Sequence, residues 1–424
     1  MITPWLSAVL VLAQERPSLD SASVARLLSQ LKTSDSTVCA LAGQALTNFG
    51  GLWGWRSWGN PGLGLPMPRP MPTPMPMPGG GGGIHIGMHA GSARLDSAVV
   101  RAFQAVVRDD NRCIRNIAVR VLANHGNSGT YDLFIALLRD NRADLRETGA
   151  IGLGELEDSR AINPLSDALH RDTSAVVRMT AAWALGAIEE QVAIDALDRA
   201  LSDRDPRVRR GAAWALGAIE DPRAVRPLGA TLGDQVLDVR LVGVWALGEI
   251  EDASAVPVLA PATKDRDAKV RQAAAWALGQ IESAQGVDLL EGLIRDPVLE
   301  VRKTAIWALG EIESNGGVAP AATALKDADP EVRGLAAWAL GQIEDDQAVE
   351  PLVAALKDSD IEVRATAAWA LGQIESPRAR QGLIAAQQDE SASVRRSATW
   401  ALRQIDGDDH GSRIRVRPNV KVKP

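Results

Sequence analysis

Cysteine, tyrosine, phenylalanine and histidine are scarce in this chain of 424 residues, which holds two Cys, one Tyr, three Phe and five His. Two cysteines, Cys39 and Cys113, exclude a disulfide-built small domain and a four-cysteine structural zinc site. No apolar run approaches the roughly 18 to 20 residues that span a bilayer, so no transmembrane span is expected. The formal net charge is −7 with no broad basic field, which argues against nucleic acid as a partner. Against the shortage of Phe and Tyr stand 12 Trp. A core that only needed bulk would draw on all three aromatics, so this bias asks for a positional cause. With 46% hydrophobic and 23% charged residues the chain can bury a large core.

The cause is a repeat. The string WALG, or a close variant, places Trp183, Trp214, Trp245, Trp276, Trp307, Trp338, Trp369 and Trp400 at intervals of 31 residues. Upstream the register continues without Trp through Ile151, Arg120 and, more faintly, Gln44, which makes about eleven units. Each unit reads as two helices separated by polar turn residues, as in DPRAVRPLGATLGD followed by DVRLVGVWALGEIED. Ten units carry an Asp six residues before an Arg, from Asp109 and Arg115 to Asp389 and Arg395. Stacked in successive repeats, these carboxylates and guanidinium groups can bond each other and the neighbouring turn as a ladder. The expected fold is therefore all-α, built from two-helix repeats.

The pattern D-x5-R followed by AAWALGxIED resembles the short HEAT repeat of the phycobilisome-lyase type over roughly residues 22–49 and 95–406. The resemblance implies a right-handed α-solenoid whose second helices line a concave face used for partners. Proteins of that type include bilin lyase subunits and, more distantly, a di-iron hydroxylase that uses His-Glu pairs as ligands. No such pair exists here: His85, His89, His125, His170 and His410 precede Ile, Ala, Gly, Arg and Gly. That metal site does not carry over. Neither G-x-S-x-G, H-E-x-x-H, a P-loop nor a dinucleotide fingerprint occurs, so the chain reads as non-enzymatic, with no cofactor expected.

At about 100° per residue, Val239, Gly243, Ala246, Leu247 and Ile250 share an arc that must face the first helix, and Trp245 lies about 145° from its centre. The arithmetic places each Trp on the outward strip of its second helix, beside the residues four before, three before and four after it. The after-positions are Glu249, Gln280, Glu311, Gln342, Gln373 and Gln404, with Ala187 and Ala218 earlier. With neighbouring helices roughly 10 Å apart, eight Trp form a ladder of about 70 Å. Two compatible readings follow. Each indole lies flat over the Ala and Gly of the adjacent repeat, or the row is a groove for an extended protein or peptide, since Trp is enriched at interface hot spots. A sugar-binding groove is a minor version of the second.

Residues 1–21 read as a leader or signal segment, with Val11 and Ala13 at −3 and −1 positions but no basic n-region, so export to the periplasm or beyond is slightly favoured over a cytoplasmic site. Residues 22–49 are a degenerate repeat and 50–94 an insertion rich in Trp, Pro, Met and Gly; 95–406 hold ten repeats and 407–424 a basic tail. Alternating prolines from Pro66 to Pro78 favour polyproline II, about 40 Å long, as a stiff spacer or as a plug for the Trp groove. His85, Met88 and His89 form a loose thioether and imidazole set of the kind that suits Cu(I). Cys39 and Cys113 sit on helices expected to be neighbours, and a disulfide between them stays open. The expectation is a non-enzymatic scaffold that binds a protein or peptide along the Trp face. Its rivals are an enzyme or chromophore-attachment subunit, argued from the resemblance alone, and a purely structural envelope spacer.

Overall fold

A computed structural model describes residues 96–407 and, of those before them, Val24, Arg26, Leu28 and Ser29. The leader, the rest of repeat 22–49, the insertion with His85, Met88 and His89, and the tail beyond Gly407 lie outside the described residues. So does Cys39; Cys113 is disulfide-bonded.

Among the described residues there are 20 α-helices and no strand, arranged as the first and second helices of ten repeats. They fall in two compact units that divide between Ala215 and Leu216. The first unit holds α1 (Ser97–Val106), α2 (Arg112–His125), α3 (Thr130–Leu138), α4 (Ala143–Glu155), α5 (Ile162–Arg171), α6 (Ala175–Ile188), α7 (Ile194–Ala200) and most of α8 (Pro206–Ala218). The second holds α9 (Val225–Gly229), α10 (Leu237–Glu249), α11 (Ala255–Leu259), α12 (Ala268–Gln280), α13 (Val287–Leu293), α14 (Leu299–Ile312) and α15 (Val318–Ala324). It continues with α16 (Pro330–Ile343), α17 (Val349–Ala355), α18 (Ile361–Ile374), α19 (Arg380–Ala386) and α20 (Ala392–Asp406). No helix among the described residues is long and apolar enough to cross a membrane.

The local sequence accounts for each second helix. In α16 the Asp329 carboxylate accepts the Glu331 N–H at 2.8 Å, Pro330 supplies a pre-set φ where no donor is needed, and Glu331 puts negative charge at the positive end of the helix dipole. The helix stops at Ile343, because Glu344 turns left-handed with φ 52°. The same stop recurs: Glu157, Glu189, Glu220, Glu251, Glu282, Glu313, Glu344 and Glu375 all have φ between 48° and 54°, and all are exposed. Glycine is the usual residue at such a stop, since any Cβ costs on the order of 1 kcal/mol there.

Within each unit, second helices pack on their own first helices and on neighbouring second helices, as α4 does on α6 and α12 on α10 and α14. The neighbours meet at the glycine of WALG. A methyl group on Gly341 would lie 2.8 Å from Cζ3 of Trp369 and 2.9 Å from Cα of Ala370. Across Gly154, Gly186, Gly217, Gly248, Gly279, Gly310, Gly341 and Gly372 the distance to Cζ3 of the following repeat's Trp ranges from 2.5 to 3.2 Å. Six of the eight lie below 3.0 Å, and at Gly186 and Gly217 the Cα or Cβ of the facing alanine comes within 2.8 Å, so a methyl fits at none of them without a shift.

Three substitutions have expected effects on urea denaturation midpoints. Gly341→Ala should destabilise by about 1–3 kcal/mol through overpacking, although Ala is the better helix former, while Gly292→Ala, with nothing within 4 Å of its added methyl, should stabilise by roughly 0.5–1 kcal/mol. Glu344→Gly should stabilise by roughly 1 kcal/mol through relief of the left-handed backbone.

Candidate partner-binding face

The ladder residues hold the turns between first and second helices. Arg271 donates from Nε and Nη2 to both oxygens of Asp296, at 2.6 and 2.9 Å, and from Nη1 to the carbonyl of Asp265 at 2.8 Å. It thus grips the carboxylate of the next repeat while capping the turn that precedes its own helix. Asp296 also accepts the Val298 N–H at 2.9 Å, so one carboxylate closes its own turn and receives a fork. The two-pronged arrangement recurs for Arg146 with Asp172 and Arg178 with Asp203 in the first unit. In the second it joins Arg240 to Asp265, Arg302 to Asp327, Arg333 to Asp358 and Arg364 to Asp389. Arg115 departs from it: its Nε donates to Thr148 at 3.1 Å, and Asp140 is bonded instead by Arg108 at 2.6 Å.

The indoles are less open than the helical arithmetic places them. Trp183, Trp245, Trp276, Trp338 and Trp369 are only 5–9% exposed, and Trp214, Trp307 and Trp400 are half-buried. The assignment to a solvent-side strip is corrected for these five. Counting only the face against the first helix leaves out the second contact, against neighbouring second helices, and each ring lies over the preceding repeat's glycine in that contact. The Nε1 groups of Trp245, Trp276 and Trp369 are buried with no hydrogen-bond acceptor among the described residues.

What reaches solvent beside the indoles is the position four residues later. Glu249, Gln280, Glu311, Gln342, Gln373 and Gln404 are all half-buried and occur once per repeat through the second unit. The position four residues before each Trp varies most: Met179, Arg210, Leu241, Gln272, Lys303, Gly334, Ala365 and Arg396. One of these the sequence reading passed over. Lys303 is buried and pairs with Glu331 at 2.7 Å and Glu300 at 3.4 Å, and Gln272 donates to the adjacent Thr304 at 3.3 Å. Burial would lower the Lys303 pKa, but the bond to Glu331 and the charges of Glu300 and Glu331 outweigh it and raise it. A lysine between repeats that carry Gln272 and Gly334 at the same position is the signal that could have located this cluster. No group of three or more His, Cys, Asp or Glu among the described residues is placed to hold a metal ion.

These stacked helix pairs, clamped turn to turn, define an α-solenoid class, and the sequence comparison supplies its family. The family model for HEAT repeats matches residues 100–186, 162–242, 232–310 and 318–403, and the chain belongs to that family. No curated protein matches it. Among solved structures it is similar to an engineered protein of the Northeast Structural Genomics Consortium, at 24% identity over 72% of this chain and 98% of that one, TM-score 0.43. It is also similar to human deoxyhypusine hydroxylase in complex with glycerol, at 24% identity over 58% of this chain and 96% of that one, TM-score 0.29. A third is the complex of CpcE and CpcF of phycocyanin lyase from Nostoc sp. PCC7120, at 25% identity over 54% of this chain and 94% of that one, TM-score 0.34.

The clamps carry a pH dependence. Burial of Asp296 by itself favours the neutral acid, but donation from Arg271 and the Val298 N–H outweighs it and holds the carboxyl below its ordinary range. The same balance lowers Asp172 and Asp203. The folded pKa values lie below the unfolded value of about 4, so the clamps stabilise fully above that pH and the contribution is lost as pH falls through the folded values. Urea midpoints followed from about pH 6 down to about pH 2 should fall below about pH 4, and Asp296→Asn should lower the neutral-pH stability by roughly 3 kcal/mol while reducing the acid dependence.

Proposed function

We propose that the chain is a non-enzymatic HEAT-repeat scaffold that binds an extended protein or peptide across the second-helix face of its second unit. The observation that carries this reading is the division of labour within the repeat. The residues that recur without change, Asp, Arg, Trp, Ala and Gly, are consumed by clamps and packing. The position four after the Trp is half-exposed and Glu or Gln in every repeat of the second unit, and the position four before it differs from one repeat to the next, half-exposed at Leu241 and Gln272 and exposed at Arg396. A uniform frame that presents a varied row is what side-chain-specific recognition needs.

In this reading the Trp row is the floor of the site. The indoles hold the helices rigid, and the exposed edges of Trp307 and Trp400 add apolar contact area. Glu249, Gln280, Glu311, Gln342 and Gln373 meet the backbone N–H and C=O groups of the partner, and an amide side chain can do both at once. Rigidity lowers the entropic cost of binding an extended segment, which otherwise must be met by the contacts themselves. The lyase and hydroxylase among similar structures keep an enzymatic subunit as the second reading; bilin absorbance or a bound metal in the purified protein would favour it.

The test pairs the wild type with Gln280→Ala/Glu311→Ala/Gln342→Ala/Gln373→Ala, four truncations at half-exposed positions that leave the Trp packing intact. A protein retained from native extract by the wild type should be lost by the variant, with a weakening of about tenfold or more in direct titration and an unchanged thermal midpoint. Equal retention by both would sink the reading.

A further inference from the structure

The last repeat departs from the others on the face where the next repeat would stack. Arg395 keeps the posture of the internal ladder arginines, its Nη1 donating to the carbonyls of Asp389 at 2.7 Å and Glu390 at 2.8 Å. In each two-pronged clamp Nε and Nη2 of that arginine hold an Asp carboxylate of the following turn, 25 residues on in most repeats. Twenty-five residues after Arg395 stands Val420, so the register supplies no acid. Among the described residues no carboxylate reaches Nε or Nη2 of Arg395. The fork is oriented, and none of the described residues fills it.

Two further arginines join it. Arg403 occupies the position that is Gly372 one repeat earlier, and Arg396 the position four before Trp400. Arg395, Arg396, Arg403, Thr399, Ala392 and the half-buried Trp400 line one open depression of about 370 Å³. All three arginines are exposed, and Arg396 and Arg403 make no ion pair among the described residues. A side chain at residue 403 also fills the space that a following Trp would need, which closes this face to another repeat of the same kind. Residues 392–424 hold eight Lys and Arg against three Asp, in a chain whose net charge is −7. The chain's own tail is therefore a poor occupant, since it adds five of those cations.

We infer that this terminal face binds an acidic segment of a partner protein, with one carboxylate in the Arg395 fork, as an internal Asp sits, and further carboxylates on Arg396 and Arg403. This site is separate from the second-helix face proposed above and stands or falls independently of it. Three converging guanidinium groups around an indole select a run of Asp or Glu. Affinity falls with added salt because the face is open.

The test uses the full chain and a fluorescein-labelled peptide of about ten alternating Asp and Glu residues, followed by anisotropy at low salt. Saturable binding is expected, weakened by about tenfold or more in Arg396→Gln/Arg403→Gln, which removes no hydrogen bond within the fold, and further in Arg395→Gln. Arg395→Lys, which keeps the charge but not the fork, should weaken binding by about threefold, and Arg226→Gln, on α9, should leave it unchanged. Affinity within about twofold of wild type in the double variant overturns the proposal, as does loss confined to Arg413→Gln/Arg415→Gln/Arg417→Gln in the tail. Tighter binding of an oligothymidylate, abolished by the same face variants, would overturn the choice of an acidic peptide.

Discussion

The distance between consecutive second helices governs the architecture, and the contact of Trp over Gly sets it. With hydrogen at Gly341 and a methyl at Ala370 the two helices approach until the ring edge of Trp369 covers the gap. A smaller aromatic would leave part of that gap empty, and a larger residue at the glycine would push the helices apart. The Arg and Asp clamps depend on the same spacing. A fork that holds two oxygens at 2.6 and 2.9 Å tolerates only a few tenths of an ångström before one bond is lost. One distance, repeated, thus accounts for five of the residue choices in the 31-residue unit and for a chain rich in Trp yet poor in Phe and Tyr.

Much of this was open to reading before any coordinates, because period and helix amphipathicity are properties of the string. The register of WALG and of D-x5-R locates ten helix pairs, and the acid and base that would bond were named correctly as classes. Which carboxylate each guanidinium takes was not legible: Arg271 lies six residues after its own Asp265 and 25 before Asp296, and only the stacking selects the more distant carboxylate. The orientation of Trp245 was misread for a physical reason. A helix in a stack buries two faces, and a wheel drawn for one helix against one neighbour shows only the first. Glu344 could not be recognised as a helix stop either, since glutamate carries none of the signals of a left-handed residue.

The eight left-handed glutamates set a limit on explaining the repeat by packing alone. Each opposes two local preferences, for glycine at a left-handed position and for positive rather than negative charge at a helix C-terminus. The clamps and the Trp contacts supply enough stabilisation to hold that backbone in place. The same frame carries three buried indole donors, at Trp245, Trp276 and Trp369, with no acceptor among the described residues, whereas buried Lys303 is paired with Glu331 and Glu300.

Arg403 also bears on how such an array can change length. Repeats multiply by copying a stretch of chain beside itself, and a copy of a Trp-bearing unit packs closely only where the helix before it offers glycine. Residue 403 offers an arginine instead. A Trp-bearing unit placed between existing Trp-bearing repeats would meet glycine, whereas one placed after Arg403 would meet its side chain.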